Sequence, residues 1–343
     1  MAAITPERQA VPSGFKRWWN RSSTTRIAWL YLAPAFIVMG VITFYPLIYQ
    51  VWMSLTDYGI KNLRFDAAAP TFVGLKNYAQ IFSGELPVPI PNFSFWNVLA
   101  FNLIWTFTNV PFHVIIGVLI AVLLNVKGLW FKRIYRAIYI LPMVLPSLVI
   151  AVVWRNMFDS QYGAINQGLS AITHLFGGDP VTTRWMDQVD PIIGTFGTAL
   201  SLPLSYFALL ICNIWLGWPF MCIVATGALQ SIPGDLYEAA SIDGASSRQS
   251  FFKITVPLLK PAMIPAAVYG LVATFNLFNL IYLMSSGGPL RQTEILVTTA
   301  YRLVNEQRLY GVAAAFSIII FFVLLILTLI TNRITKATER YDA

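Results

Sequence analysis

Charge is the scarcest property of this sequence. Of its 343 residues, only 11% are Asp, Glu, Lys or Arg, while 57% are hydrophobic. A soluble domain carries roughly 25% charged residues, and a soluble fold with this composition would leave its surface largely apolar. Disorder and an ordinary soluble enzyme are therefore excluded. Cysteine is almost absent too: Cys212 and Cys222 lie ten residues apart in one apolar stretch. Within a single helix that is about 15 Å of rise, too far for a disulfide, so both read as structural thiols. The two histidines, His113 and His174, have no clustered Cys or carboxylate beside them, so no metal site is expected. No Gly-x-x-x-x-Gly-Lys-Ser/Thr loop occurs and no nucleophile can be paired with a base, so the chain is expected neither to hydrolyse ATP nor to act as an enzyme. A cleavable leader is not expected, because the first apolar stretch is 30 uncharged residues long and further ones follow it.

What the sequence does contain is long uncharged runs. Six stretches lack Asp, Glu, Lys and Arg altogether: Ile27–Thr56, Leu86–Val126, Ala137–Trp154, Pro191–Gly234, Pro261–Leu290 and Leu309–Asn332. Each can hold one membrane-crossing helix, which needs about 20 mostly apolar residues. The two longest runs include loop-like ends, Pro87-Val-Pro-Ile-Pro-Asn92 and Ser231-Ile-Pro-Gly234, so each is read as one span. The fold class is thus an all-α integral membrane protein of six transmembrane helices, at about 28–56, 97–125, 137–157, 202–229, 261–285 and 310–331 within a domain covering 27–332.

The charges between these spans set an orientation. The N-terminal tail, Lys127–Arg136, Asp235–Lys260 and the C-terminal tail hold fifteen Lys/Arg and six Asp/Glu; the other connecting segments hold eight and nine. The positive-inside rule puts the first set, at +9, in the cytoplasm, with both termini inside (N-in/C-in). The basic charge belongs to the surface of the lipid bilayer, and nucleic acid is not an expected partner. Phe15, Trp18 and Trp19 beside Lys16, Arg17, Arg21 and Arg26 predict an interfacial helix in the cytoplasmic tail 1–26, with a floppy tail as the alternative. Residues 333–343 form a second cytoplasmic tail.

Inside the spans, prolines at 34, 46, 111, 142, 146, 203, 219 and 265 predict bends. Asn276 and Asn279, three residues apart beside Thr274, share a face at helical spacing. Lipid penalises their amides, so they line a solute path or glue helices together. Trp215, Trp218 and Phe220 around Gly217 offer aromatic faces to a sugar ring, or pad a bundle in which Gly217 permits close packing. No carboxylate lies in any of the six runs, which removes the usual relay of a proton-coupled secondary transporter. A channel filter is equally unsupported. Energy must enter from another chain.

The cytoplasmic loop 230–260 is the place for it. It reads as a short helix, a break at Gly244, and a second short helix ending at a proline, with Ser231 placed to cap the first and Asp235 near its positive end. Ala239 and Ala240 keep that helix thin, Gly244 permits a sharp turn, and Tyr237, Ile242, Phe251, Phe252 and Ile254 supply apolar contact area that calls for a partner.

The spacing Glu238-Ala239-Ala240, three residues, Gly244, nine residues, Ile254-Thr-Val256-Pro257 resembles the EAA signature of binding-protein-dependent ABC importer permeases, with Val256 where Leu is usual. Phe72-Val-Gly-Leu-Lys-Asn-Tyr78, Ile214-Trp-Leu-Gly-Trp-Pro-Phe220, Phe275-Asn-Leu-Phe-Asn-Leu-Ile-Tyr282 and Gly287-Gly-Pro289 are similar to sugar permeases of the maltose type, in a short six-span form. The resemblance implies a type I ABC importer permease fold in a bacterial or archaeal cytoplasmic membrane. It implies a second homologous permease, two cytoplasmic ATPase subunits that bind ATP and magnesium, an external sugar-binding protein, and no cofactor in this chain. Glu238, Ala239, Ala240, Gly244, Ile254 and Pro257 would couple to the ATPases. Leu216, Gly217, Phe220, Thr274, Asn276 and Leu277 would bind the sugar, and Asn279 joins them from the reading of span 5. Leu277 and Gly270 stand at positions that are polar in the maltose protein, which leaves trehalose, another oligosaccharide or a glycerol phosphate as rival substrates.

Overall fold

A computed structural model describes residues 24–126, 128–195 and 201–335. The expected interfacial stretch before residue 24 and the end of the C-terminal tail after residue 335 lie outside the described residues. The chain divides into two units, Met1–Met53 and Ser54–Ala343.

In the first unit, α1 (Thr24–Met39) passes through a wide π turn at Gly40–Phe44 into α2 (Tyr45–Ser54). The reason for that turn is Pro46, whose ring collides with the carbonyl four residues back. That carbonyl belongs to Ile42, at the middle of the widened turn.

The second unit begins with a short connecting segment carrying α3 (Lys76–Ser83), followed by α4 (Phe95–Leu124), capped by Ser94 Oγ on the Asn97 N–H. Next come α5 (Lys132–Val144) and α6 (Ser147–Met157), then a connecting stretch with α7 (Ala164–Leu175) and a two-residue antiparallel ladder, β1 (Ile193–Gly194) with β2 (Ser201–Leu202). The long α8 (Leu204–Gln230) leads to α9 (Asp235–Ile242) and α10 (Ser247–Ser250), and a π turn at Phe251–Thr255 feeds α11 (Val256–Phe275) and α12 (Phe278–Met284). An amphipathic helix, α13 (Leu296–Asn305), precedes the last long helix, α14 (Tyr310–Thr335).

Five of these helical segments are long and apolar enough to cross a membrane, and six if α5 and α6 count as one bent span. The third span is therefore not one helix over 137–157. Its halves meet at 98°, because Pro146 opens α6 and holds the preceding Leu145 in an extended conformation.

Three further expectations are corrected. Pro203 does not bend the fourth span; it is the residue before its first turn, where a missing N–H costs nothing. Ser231 does not cap α9, because its hydroxyl bonds back to the Ala228 carbonyl at the end of α8. The second loop helix does not stop at a proline either. It runs on into the fifth span, since the π turn at Phe251–Thr255 opens the helix around Lys253, the carbonyl that Pro257 would strike. Pro46 and Pro257 are thus accommodated by the same device.

The core forms where α4, α8 and α11 cross. A Cβ on Gly117 would lie 2.5 Å from the Cβ of Met221, and one on Gly217 would lie 2.2 Å from the His113 ring. The matched offsets 113/217 and 117/221 mean that α4 and α8 run parallel in close register. Trp105, Phe275 and Phe316 are fully buried around these crossings.

Candidate functional site

The fifth span breaks in its middle. α11 ends at Phe275, Asn276 adopts φ −100°, ψ 20°, Leu277 adopts φ −75°, ψ 68°, and α12 restarts at Phe278. Asn276 and Asn279 therefore do not sit on one continuous helical face, which corrects the reading from their spacing. Part of the cause is local: the Asn276 side-chain amide donates to the Val272 carbonyl at 3.2 Å, an alternative to the helix ladder that Asn offers readily.

The break takes the Phe275 carbonyl out of the helix ladder, while the Thr274 carbonyl still accepts the Leu277 N–H at 3.3 Å, and in apolar surroundings each must be satisfied. Span 2 supplies the donors. Trp105 Nε1 donates to the Thr274 carbonyl at 3.2 Å, and Asn102 Nδ2 donates to the Phe275 carbonyl at 3.2 Å. The other end of the same Asn102 amide accepts the Leu296 N–H at 2.8 Å, at the first turn of α13. One fully buried side chain thus joins the break to α13. Neither Asn102 nor Trp105 was singled out in the sequence, because each is one more uncharged residue in an apolar run.

The expected sugar-binding residues spread over two faces of this region. Thr274 is buried, while Leu216, Gly217, Phe220, Asn276 and Leu277 are half-buried. Asn279 is exposed and donates to Ser147 Oγ at 3.0 Å, tying α12 to the start of α6. Phe220 packs on Tyr269, Trp215 on Trp154, and Trp218 on Tyr139. Trp215, Trp218 and Tyr139 also border an apolar hollow of ≈ 330 Å³ with Ile120, Leu124 and Pro142. Gly217 is covered by the imidazole of His113, whose Nε2–H donates to the Asn213 carbonyl at 2.9 Å. Replacing Gly217 with Ala forces that anchored ring to move, so we expect a loss of about 1–3 kcal/mol from overpacking. Thermal unfolding measures it, and the added change His113→Ala should recover part of the loss.

In the loop 230–260, Gly244 closes α9 in the left-handed conformation, φ +77°, with nothing within 4 Å of where a Cβ would stand. Tyr237 Oη meets Thr255 Oγ1 at 2.9 Å, which pins α9 to the root of span 5. Ser246 and Gln249 cap α10 reciprocally. Leu236, Ile242 and Phe252 are exposed, whereas Tyr237, Phe251 and Ile254 are half-buried. Glu238, Ala239 and Pro257 are exposed and Ala240 half-buried. A groove of ≈ 360 Å³ runs between Ala240, Gly244, Gln249, Lys253 and Ile254.

Residues 113–340 match the family described as the binding-protein-dependent transport system inner membrane component. This chain belongs to that family. It is similar to the galactooligosaccharides transport system permease protein GanP of Bacillus subtilis, 33% identical over 310 residues, 89% of this chain and 69% of that protein. It is also 32% identical over 313 residues to the trehalose/maltose transport system permease protein MalF of Thermococcus litoralis, covering 91% of this chain and 94% of that one. In fold it is similar to a bacterial ABC transporter involved in the import of the acidic polysaccharide alginate, with a TM-score of 0.74 at 20% identity over 94% of this chain. The architecture is that of a type I ABC importer permease, an all-α multi-spanning membrane protein that transports rather than catalyses.

The permease carries one further buried centre that its sequence had placed only among external charges. Glu294 is 1% exposed. Arg302 Nε lies 2.7 Å and Arg291 Nη1 3.1 Å from its carboxylate, and Thr299 Oγ1 donates to it at 3.1 Å. Burial pushes this carboxyl above the usual carboxylate range, with Arg291 and Arg302 pulling the other way. Gly287, at φ +74°, passes so close that a Cβ would lie 2.4 Å from Glu294 Cγ. Arg302 also bonds the Ser286 carbonyl and Glu306, which locks the end of span 5 to α13. Among the described residues, no three of His, Cys, Asp and Glu come together as a metal set.

Proposed function

We propose that this permease is one half of the translocation path of an ATP-driven importer of a disaccharide or oligosaccharide of the maltose or trehalose kind. The charge balance of the connecting segments supports an N-in/C-in orientation, with 1–26 and 333–343 as cytoplasmic tails. A loaded sugar-binding protein docks on the external segments, and a second homologous permease completes the path. Two cytoplasmic ATPase subunits bind ATP with magnesium and close on the loop 230–260. Glu238, Ala239, Ala240, Gly244, Ile254 and Pro257 take up that closure, and spans 3 to 5 rock as a body. Sugar passes Leu216, Gly217, Phe220, Thr274, Asn276, Leu277 and Asn279.

The observation that carries this reading is the break in span 5. An uncharged bundle with no relay carboxylate keeps two amides, Asn276 and Asn279, at an interrupted helix, and irregular backbone at membrane depth is tolerated where it is buried or lines a cavity. The oligosaccharide relatives support a sugar as the solute. A glycerol phosphate substrate would call for a cation in the membrane runs, and they contain none.

The test is ATP-driven uptake by proteoliposomes of the assembled complex. Asn276→Leu is expected to lower kcat/KM for the sugar about 5- to 30-fold, the effect of losing one buried polar partner. Unchanged kcat/KM would reduce Asn276 to helix packing. Uptake of glycerol phosphate in place of sugar would replace the solute and leave the importer reading intact.

A further inference from the structure

One motif has no role in the transport reading so far: Phe72-Val-Gly-Leu-Lys-Asn-Tyr78. Its local duties are structural. Val73 and Gly74 donate their backbone N–H groups to the Leu55 carbonyl, and Gly74 turns the chain at φ +60°. Asn77 is buried and donates to both the Ser54 and Thr56 carbonyls at 2.8 Å, and Tyr78 Oη meets Ser54 Oγ at 2.8 Å. These contacts leave Phe72, Leu75 and Lys76 exposed, and of the three only Lys76 is charged.

Lys76 borders a hollow of ≈ 470 Å³ walled by residues 56–61, 73–88 and 307–312. Thr56, the last residue of the first uncharged run, and Leu309, the first residue of the sixth, both line it. The hollow therefore sits where the apolar spans meet the aqueous phase. Its floor is apolar, with Val73, Val88, Leu309 and Val312, and its charged groups are Lys61, Lys76, Arg308 and Asp57. Asp57 is already taken by Lys61 and the Thr71 N–H. Among the described residues neither Lys76 nor Arg308 has an ion pair, and Arg308 is held in the left-handed region at φ +57°, which non-glycine residues seldom occupy. The hollow thus carries +2, although the three segments on its side of the membrane sum to −1.

We infer that this hollow binds the headgroup of an anionic phospholipid from the adjoining leaflet, with the phosphate between Lys76 and Arg308 and the upper acyl chain on the Val73–Val312 floor. An apolar floor under two unpaired cations at a bilayer edge matches that amphiphile, whereas a free anion would leave the floor unused.

Native mass spectrometry of the detergent-solubilised complex tests the inference, with phosphatidylglycerol, phosphatidylcholine and inorganic phosphate as separate probes. Wild type is expected to retain phosphatidylglycerol over phosphatidylcholine by about 30-fold, the effect of two cations at a membrane surface. The double change Lys76→Gln and Arg308→Gln should abolish that preference, while Lys132→Gln with Arg133→Gln should leave it intact. Equal retention by wild type and the first variant overturns the site. Binding of inorganic phosphate without any lipid preference overturns the lipid as its occupant. If the double variant unfolds, each single change is read by the same criterion, with half the effect expected in logarithmic terms.

Discussion

A complex carrying Gly244→Trp in this chain is expected to take up no sugar above background, with an uptake rate at least about 100-fold below wild type. Two effects combine. Gly244 closes α9 at φ +77°, and a residue with a Cβ in that conformation loses roughly 1–2 kcal/mol. The larger effect is steric and lies outside the chain. Nothing in this chain comes within 4 Å of the position a Cβ would take, so the indole would project where the proposed ATPase cleft receives the loop. Gly244→Ala separates the two, because it carries the backbone strain without the bulk. Its uptake is expected to fall only several-fold, in line with about 1–2 kcal/mol. Equal uptake by the Ala and Trp variants, measured as ATP-driven flux in proteoliposomes, would remove the loop from the coupling path.

The second large effect is expected at Asn102. Replacement by Leu leaves the Phe275 carbonyl and the Leu296 N–H without the partners they have now, and a buried unsatisfied group costs about 1–3 kcal/mol. Thermal unfolding of the purified complex should therefore show a loss of about 2–6 kcal/mol, accompanied by reduced uptake. Asn102→Asp keeps the oxygen that accepts from Leu296 but replaces the donor to Phe275 with a second acceptor. It should fall as far as Leu if the bond to the broken span dominates, and less far if the bond to α13 dominates. An Asn102→Leu complex as stable as wild type would mean that water or a rearranged helix satisfies the break.

Much of the architecture was legible in uncharged runs and their spacing. A helix that crosses a membrane satisfies its own backbone within the segment, so composition along the chain locates it without reference to distant residues. The backbone form of the loop 230–260 was legible for a similar reason. Its small residues and Gly244 follow local backbone demands, and Gly244 does occupy the left-handed conformation. Composition did not separate the different effects of proline. Pro146 bends the third span as expected, opening a new helix at 98° to the last, whereas Pro257 is absorbed by a widened turn and the helix continues. The difference lies in the preceding turns, which a proline count does not register.

The site itself was only half legible. Asn276 stood out because an amide in an apolar run needs an explanation, but a helical period drawn through Asn279 was the wrong geometry across a break. Asn102 and Phe275 are 173 residues apart, and Asn102 and Leu296 are 194 apart. His113 reaches Asn213 across 100 residues, and the burial of Glu294 depends on arginines aimed at it from both sides. What the sequence determined by itself is that the chain lives in a bilayer, that it has no relay carboxylate within its membrane runs, and that the loop 230–260 turns at Gly244. Each of those follows from short-range composition and spacing. Only the tertiary structure decided where span 5 breaks, what holds the break open, and which glycines are fixed by a neighbour's ring or carboxylate, because those are meetings between groups that the chain brings together only after it has folded.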